Sequence, residues 1–148
     1  MKRIITDNDA NGRSRILIEQ ELPANAMVWE ANPDQPYGFD PVEREHTLAI
    51  PAGHTICRYV EIPPEAVMAE YLRRGIPGHD AKGFHCTPTL DFFVLLRGRL
   101  LLELDEGSAE LRPGDVVVQR NTHHAWRNPE REPALCLVIF HRPAEGMS

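Results

Sequence analysis

No stretch of this chain approaches the roughly 18 apolar residues of a membrane-spanning helix, so no membrane partner is expected. The first nine residues, Met1 to Asp9, contain no apolar signal region, and a cytoplasmic setting is the expectation. Positive charge is short: 16 Lys and Arg stand against 22 Asp and Glu, for a formal net charge of -6. Phosphate binding wants clustered Lys and Arg, so a nucleic-acid partner is not expected either. The acidic excess is spread along the chain and reads as solubility. Cysteine is sparse as well. Cys57, Cys86 and Cys136 are an odd number without metal-motif spacing, the pattern of reduced thiols in a cytosolic protein. No glycine-rich phosphate loop is present. Ser14, Ser108 and Ser148 lie in turns or at ends without a nucleophile-elbow pattern, so serine and cysteine nucleophilic chemistry is not supported.

What is present is one domain's worth of chain. Its 148 residues, 42% apolar and 26% charged, suit a single soluble domain spanning 1–148. Residues 1–45 read as an N-terminal arm that packs on the domain or on a partner subunit. Within it, residues 15–19 and 27–30 are strand-like, and residues 32–41, with Pro33, Pro36, Gly38 and Pro41, read as a loop. Residues 46–141 read as a β-rich core of short strands separated by turns. Residues 64–74 are the one helix. Pro64 and Glu65 suit its start, Arg73 and Arg74 its end, and Gly75 and Pro77 stop it. Val67, Met68, Tyr71 and Leu72 lie at helical spacing and are expected only to pack. Short strands at near-regular spacing between 90 and 140 predict an antiparallel sandwich or barrel.

The densest chemistry lies between His85 and Asn128. It runs His85-x-Thr87-x-x-x-Asp91, then Gly98, then Pro113-Gly114-Asp115, then His124-x-x-x-Asn128. If His85, Asp91 and His124 share an ion, a straight strand cannot carry the first two. It would hold them roughly 20 Å apart, whereas each ligand must lie about 2 Å from the ion. Thr87-Pro88-Thr89 supplies the turn, because proline lacks the donor a central strand needs. Two imidazoles and a carboxylate with open positions suit non-haem Fe(II), with Mn, Ni, Co and Zn as further candidates.

These residues resemble a cupin, the RmlC-like double-stranded β-helix. The first cupin motif, His-x-His, three or four residues, Glu, six residues, Gly, is matched by His85-x-Thr87, Asp91 and Gly98. The second, ending Pro-x-Gly-x-x-His-x-x-x-Asn, is matched by Gln119-x-Asn121-x-x-His124-x-x-x-Asn128. The resemblance covers about residues 50–140 and is similar in detail to small single-domain bacterial cupins. It implies an all-β fold, an antiparallel double-stranded β-helix (jelly roll) with an N-terminal arm and one short helix. It also implies a homodimer that exchanges its N-terminal strands. Thr87 stands where the family has a second His and Asp91 where it has Glu. Gln119 and Asn121 replace the Pro and Gly of the second motif.

Two readings stay open. In the first, His85, Asp91 and His124 hold a divalent metal in a mononuclear oxygenase or isomerase acting on a small organic molecule. Thr87, Phe93, Gln119, Trp126 and Arg58 are then candidate pocket residues. In the second, the same pocket binds or senses a small metabolite without metal or turnover. Asp91 then hydrogen-bonds Thr87 or Thr89, and the histidines are satisfied polar residues at the barrel mouth. His123 is expected to point away from His124 because strand neighbours alternate faces. His46, His54, His79 and His141 are expected at the surface, and Cys86 as a small apolar filler.

Overall fold

A computed structural model of the chain describes residues 1–40 and 49–146. Pro41 and His46 lie outside the described residues. The described chain forms β1 (Lys2–Asn8), β2 (Ser14–Glu21), β3 (Met27–Asn32), β4 (Gln35–Phe39) and β5 (Thr55–Ile62). Helix α1 (Glu65–Arg74) follows, then β6 (Leu90–Arg97), β7 (Leu100–Leu104), β8 (Ser108–Leu111), β9 (Val116–Arg120), β10 (His124–Arg127) and β11 (Ala134–His141). All pairings between these strands are antiparallel. One sheet has the order β4-β3-β5-β11-β6-β9, a second the order β10-β7-β8, and β1 and β2 form a hairpin of their own. This is the expected antiparallel jelly roll with one short helix.

Alternation along the strands builds the interior. On β6, Asp91, Phe93 and Leu95 are buried while Phe92 and Leu96 face out. On β11, Ala134, Cys136, Val138 and Phe140 point inward. Together with Ile56 and Ile62 from β5 and Leu100, Leu102 and Leu111 from the smaller sheet, they form the core. The register puts Asp91 opposite Gln119 on one side and Phe140 on the other, so one cross-strand row carries polar groups into an apolar interior.

Two motif positions are explained by backbone geometry. Gly98 has a φ of 93°, and a Cβ there would lie 3.1 Å from the backbone of Ala134, so any side chain at the β6–β7 turn is strained and crowded. Asn121, where the family motif has glycine, also has a positive φ, 49°. Asparagine is among the few residues that tolerate this region, so the exchange keeps the turn.

The helix bounds follow the local signals, with Pro64 before it and Gly75 (φ 83°) after it. The expected loop at 32–41 is instead partly strand β4. The Asn32 side chain accepts hydrogen bonds from the backbone of Asp34 and Gln35, turning the chain back on β3. The Trp29 indole donates to the Tyr37 carbonyl. Pro36 is tolerated because β4 is an edge strand. β3 pairs with β5, so β3 and β4 belong to the main sheet and only the β1–β2 hairpin stands apart.

Candidate functional site

A cavity of about 260 Å³ opens between the two sheets beneath α1. Its apolar wall comes from Val60 and Ile62 of β5, Phe93 of β6, Trp126 of β10, and Val138 and Phe140 of β11. Phe93 and Trp126 stack with ring centroids 4.0 Å apart and planes at 13°. Both rings can pack this way because they project inward from facing sheets. Met68 and Tyr71 close the cavity from the helix, and Ile76 from the segment after it.

The polar end holds His79, His85, Thr87, Asp91, Gln119 and His124. Two isolated antiparallel bridges, His79 with His85 and His85 with His124, set the three imidazoles side by side. The rings of His79 and His85 stack at 4.0 Å, and those of His85 and His124 lie 4.3 Å apart at 50°. Each Nδ1 meets a backbone carbonyl two residues earlier: His79 that of Pro77 (3.2 Å), His85 that of Gly83 (3.3 Å), His124 that of Thr122 (2.9 Å). A carbonyl only accepts, so this network assigns the proton to Nδ1 and leaves Nε2 as the acceptor of each ring. Burial, with His124 and His79 adding to it, pulls His85 down to about 4. Burial lowers His124 too. Both rings are therefore neutral near pH 7.

Asp91 is buried, and burial raises its carboxyl above the usual range against opposing hydrogen bonds from Thr89 and Thr87. The two threonine hydroxyls also bond each other at 2.8 Å. Asp91 Oδ1 is buried and has no hydrogen-bond partner among the described residues. Gln119 donates to the Thr122 hydroxyl. These donors are therefore already engaged within the protein.

Among the described residues, no three His, Cys, Asp or Glu side chains are arranged to hold a metal ion. The donor types suit one, and the Nδ1–carbonyl bonds are the kind that orient metal-ligating imidazoles. The placement does not: the imidazoles lie ring against ring rather than converging edge-on with Asp91. As they stand, the residues do not fit a mononuclear centre.

The structure gathers His85, Asp91, His124, Thr87, Phe93, Gln119 and Trp126 around one cavity. Arg58 is not among its lining residues. It is buried and donates to the carbonyls of Asn25 and Tyr59. His79 lines the cavity rather than the surface, and Met68 and Tyr71 face it rather than only packing. His54 is also drawn inward, with Nδ1 2.7 Å from the buried Glu30 carboxylate. His141 meets the Thr55 hydroxyl at 2.9 Å. Cys86 is exposed, its thiol directed at Asn121, instead of filling apolar space. His123 does point outward, 2.8 Å from Asp105. No sequence signal marked His79. The helical spacing of Met68 and Tyr71 marked an inner face without saying what it faced.

Residues 74–140 match the family model described as a cupin domain. Over 140 residues the chain is 34% identical to phomopsin biosynthesis cluster protein C' of Diaporthe leptostromiformis, covering 85% of this chain and 69% of that protein. The chain belongs to the cupin family. A shorter segment of this cupin, 49 residues, is 49% identical to oryzines biosynthesis cluster protein J of Aspergillus oryzae, covering 32% of the chain and only 27% of that relative. Both relatives are fungal and give no support to a bacterial origin. Among solved structures, the cupin domain of Cnp3 from Schizosaccharomyces pombe shares the fold at 12% identity with a TM-score of 0.50, covering 95% of this chain and 87% of that one. No helix among the described residues is long and apolar enough to cross a membrane.

Proposed function

We propose that this cupin binds a small organic molecule in the barrel cavity through its own side chains, without a resident metal ion. One observation carries the reading: the polar end sets imidazoles ring against ring beside a buried Asp91 oxygen with no hydrogen-bond partner among the described residues, instead of converging them with that carboxylate. The Phe93–Trp126 wall takes the apolar body of the ligand, and the polar end fixes its orientation. The relatives named for biosynthesis clusters support a small-molecule setting. Asp91, with its raised pKa, is the group placed to hold or release a proton inside the cavity.

A second reading has a specific observation behind it. The Nδ1–carbonyl bonds of His85 and His124 leave both Nε2 atoms free to ligate. With Asp91 they would hold Fe, Mn, Ni, Co or Zn in an oxygenase or isomerase after the rings turn edge-on.

Elemental analysis of untreated protein, followed by thermal-shift titration, separates the two. The binding reading expects organic ligands to raise Tm while EDTA leaves it unchanged. A ligand at about 100 times its Kd would add about 2.7 kcal/mol. About one divalent ion per chain, lost in His124→Ala, would overturn it in favour of the second.

Two further expectations are proposed with this reading. Phe92, Leu96, Val116 and Val118 lie exposed on the outer face of β6 and β9, and support a homodimer. The free thiols of Cys57, Cys86 and Cys136 support a cytoplasmic setting.

A further inference from the structure

We infer that the polar end of the cavity is a site for an organic ammonium group, held by Asp91 and by the imidazoles of His79, His85 and His124. This rests on the proposed binding function and names the ligand class.

Each of the three rings has committed Nδ1–H to a backbone carbonyl, so what remains is the lone pair on Nε2. Asp91 Oδ1 adds an acceptor that is buried and unpaired among the described residues. The hydroxyls of Thr87 and Thr89 are engaged with each other and with Asp91, and the Gln119 amide with Thr122. The cavity end is therefore rich in acceptors and poor in donors. A ligand carboxylate or phosphate would meet only acceptors at the imidazoles and Asp91, with the Trp126 indole and the Tyr71 hydroxyl as the donors left along the rest of the wall. A protonated amine brings three N–H donors and one positive charge.

Charge points the same way. Two carboxylates, Asp91 and Glu61, line the cavity together with one guanidinium, Arg127, and Glu61 already has Arg97 at 3.8 Å, which leaves Asp91 as the carboxylate in question. Arg127 is already bound to Glu103, at 2.8 Å through Nε and 2.7 Å through Nη2, and to the Lys82 carbonyl at 2.7 Å. Among the described residues no ion pair answers Asp91, and an unanswered buried carboxylate is costly. Trp126, Phe93 and Tyr71 supply aromatic surface beside it, which suits a cation joined to an apolar body. His79 matters here because it lies outside both cupin motifs and contributes the third imidazole.

The test is isothermal titration of the full chain at pH 7 with probes that share one apolar body: 2-phenylethylamine, 2-phenylethanol and 3-phenylpropanoate. The amine is expected to bind at least tenfold more tightly than the alcohol, and the carboxylate not to bind. Asp91→Asn should erase the tenfold preference of amine over alcohol. His79→Phe, which keeps a ring in the stack and removes Nε2, should weaken the amine at least threefold and keeps the test decisive if Asp91→Asn does not fold. Equal binding of amine and alcohol to the wild type would overturn the ammonium site and leave the binding function standing. Binding of no probe, or of one Mn or Ni ion per chain in place of the amine, would overturn both.

Discussion

His79 and His85 sit opposite each other on an antiparallel bridge and stack ring on ring at 4.0 Å, with 29° between their planes. One belongs to the segment after the helix, the other to the first cupin motif. Their contact ties the cover of the cavity to its floor.

Burial of His85, with the neighbouring imidazoles adding to it, makes stability depend on pH. His85 is held down to about 4 by burial and by the neighbouring His124, His79 and His123, against 6.5 ordinarily. The folded state favours the neutral ring, so the unfolded chain takes up the extra proton between those values. The stabilisation is complete above about pH 6.5, falls as pH drops and is gone below about 4, a loss of about 3 kcal/mol. His124 acts in the same direction. Asp91, raised by burial, acts in the opposite sense, losing stability as pH rises above its usual 3.8. Urea midpoints are expected to be lower at pH 5 than at pH 7, with a flatter slope in His85→Gln. A midpoint that rises at pH 5 would contradict the assigned burial.

Asn128, from the second motif, is a structural clamp. Its Nδ2 donates to the carbonyls of Ile62 and Glu132, each at 2.9 Å, and its Oδ1 accepts from the Glu130 backbone at 2.9 Å. Asn128→Ala removes three hydrogen bonds at a fully buried position and is expected to cost about 3 kcal/mol. Chemical denaturation checks this, and a loss under about 1 kcal/mol would mean that water replaces the side chain.

Phe93→Ala should cost about 3 kcal/mol, since Phe93 is buried and stacked on Trp126. Indole fluorescence should shift along with stability, because the Trp126 face becomes open to the cavity. Unchanged emission would show that the stack does not persist in solution.

Gly98→Ala places a Cβ 3.1 Å from Ala134 at a φ of 93°. The expected cost is at least about 2 kcal/mol in equilibrium unfolding, from backbone strain and the close approach together. A neutral result would show that the β6–β7 turn can rearrange.

The fold was legible where the signal is local. Pro64, Glu65 and Gly75 bound the helix, and Gly98 and Gly114 mark turns that the structure keeps at positive φ. Strand β4 was not, because Pro36 and Gly38 read as loop while its support comes from Asn32 and Trp29 elsewhere in the chain. Strand β1 carries too little apolar alternation to stand out; only Arg3 in it is buried, bound to Asp40 and the Val28 carbonyl. At the site, Phe93 shares the strand parity of Asp91 and Trp126 that of His124, and all four line the cavity together with Gln119. His79 escaped because its meeting with His85 is tertiary and leaves no periodic mark. Arg58 shares the inward parity of Ile56 and Ile62, yet its guanidinium bonds carbonyls near β3 instead of the cavity.

Helix α1 has no buried residue of its own, and Met68 and Tyr71 form part of the cavity roof. A helix with so little packing of its own gains contacts from any guest in the cavity, so a guest should act as a floor joist. Amide hydrogen exchange along residues 65–74 should slow when the cavity fills, while exchange in β11, walled in on both sides by β5 and β6, should stay the same. The helix thus becomes a built-in gauge of occupancy, readable before the guest has been identified.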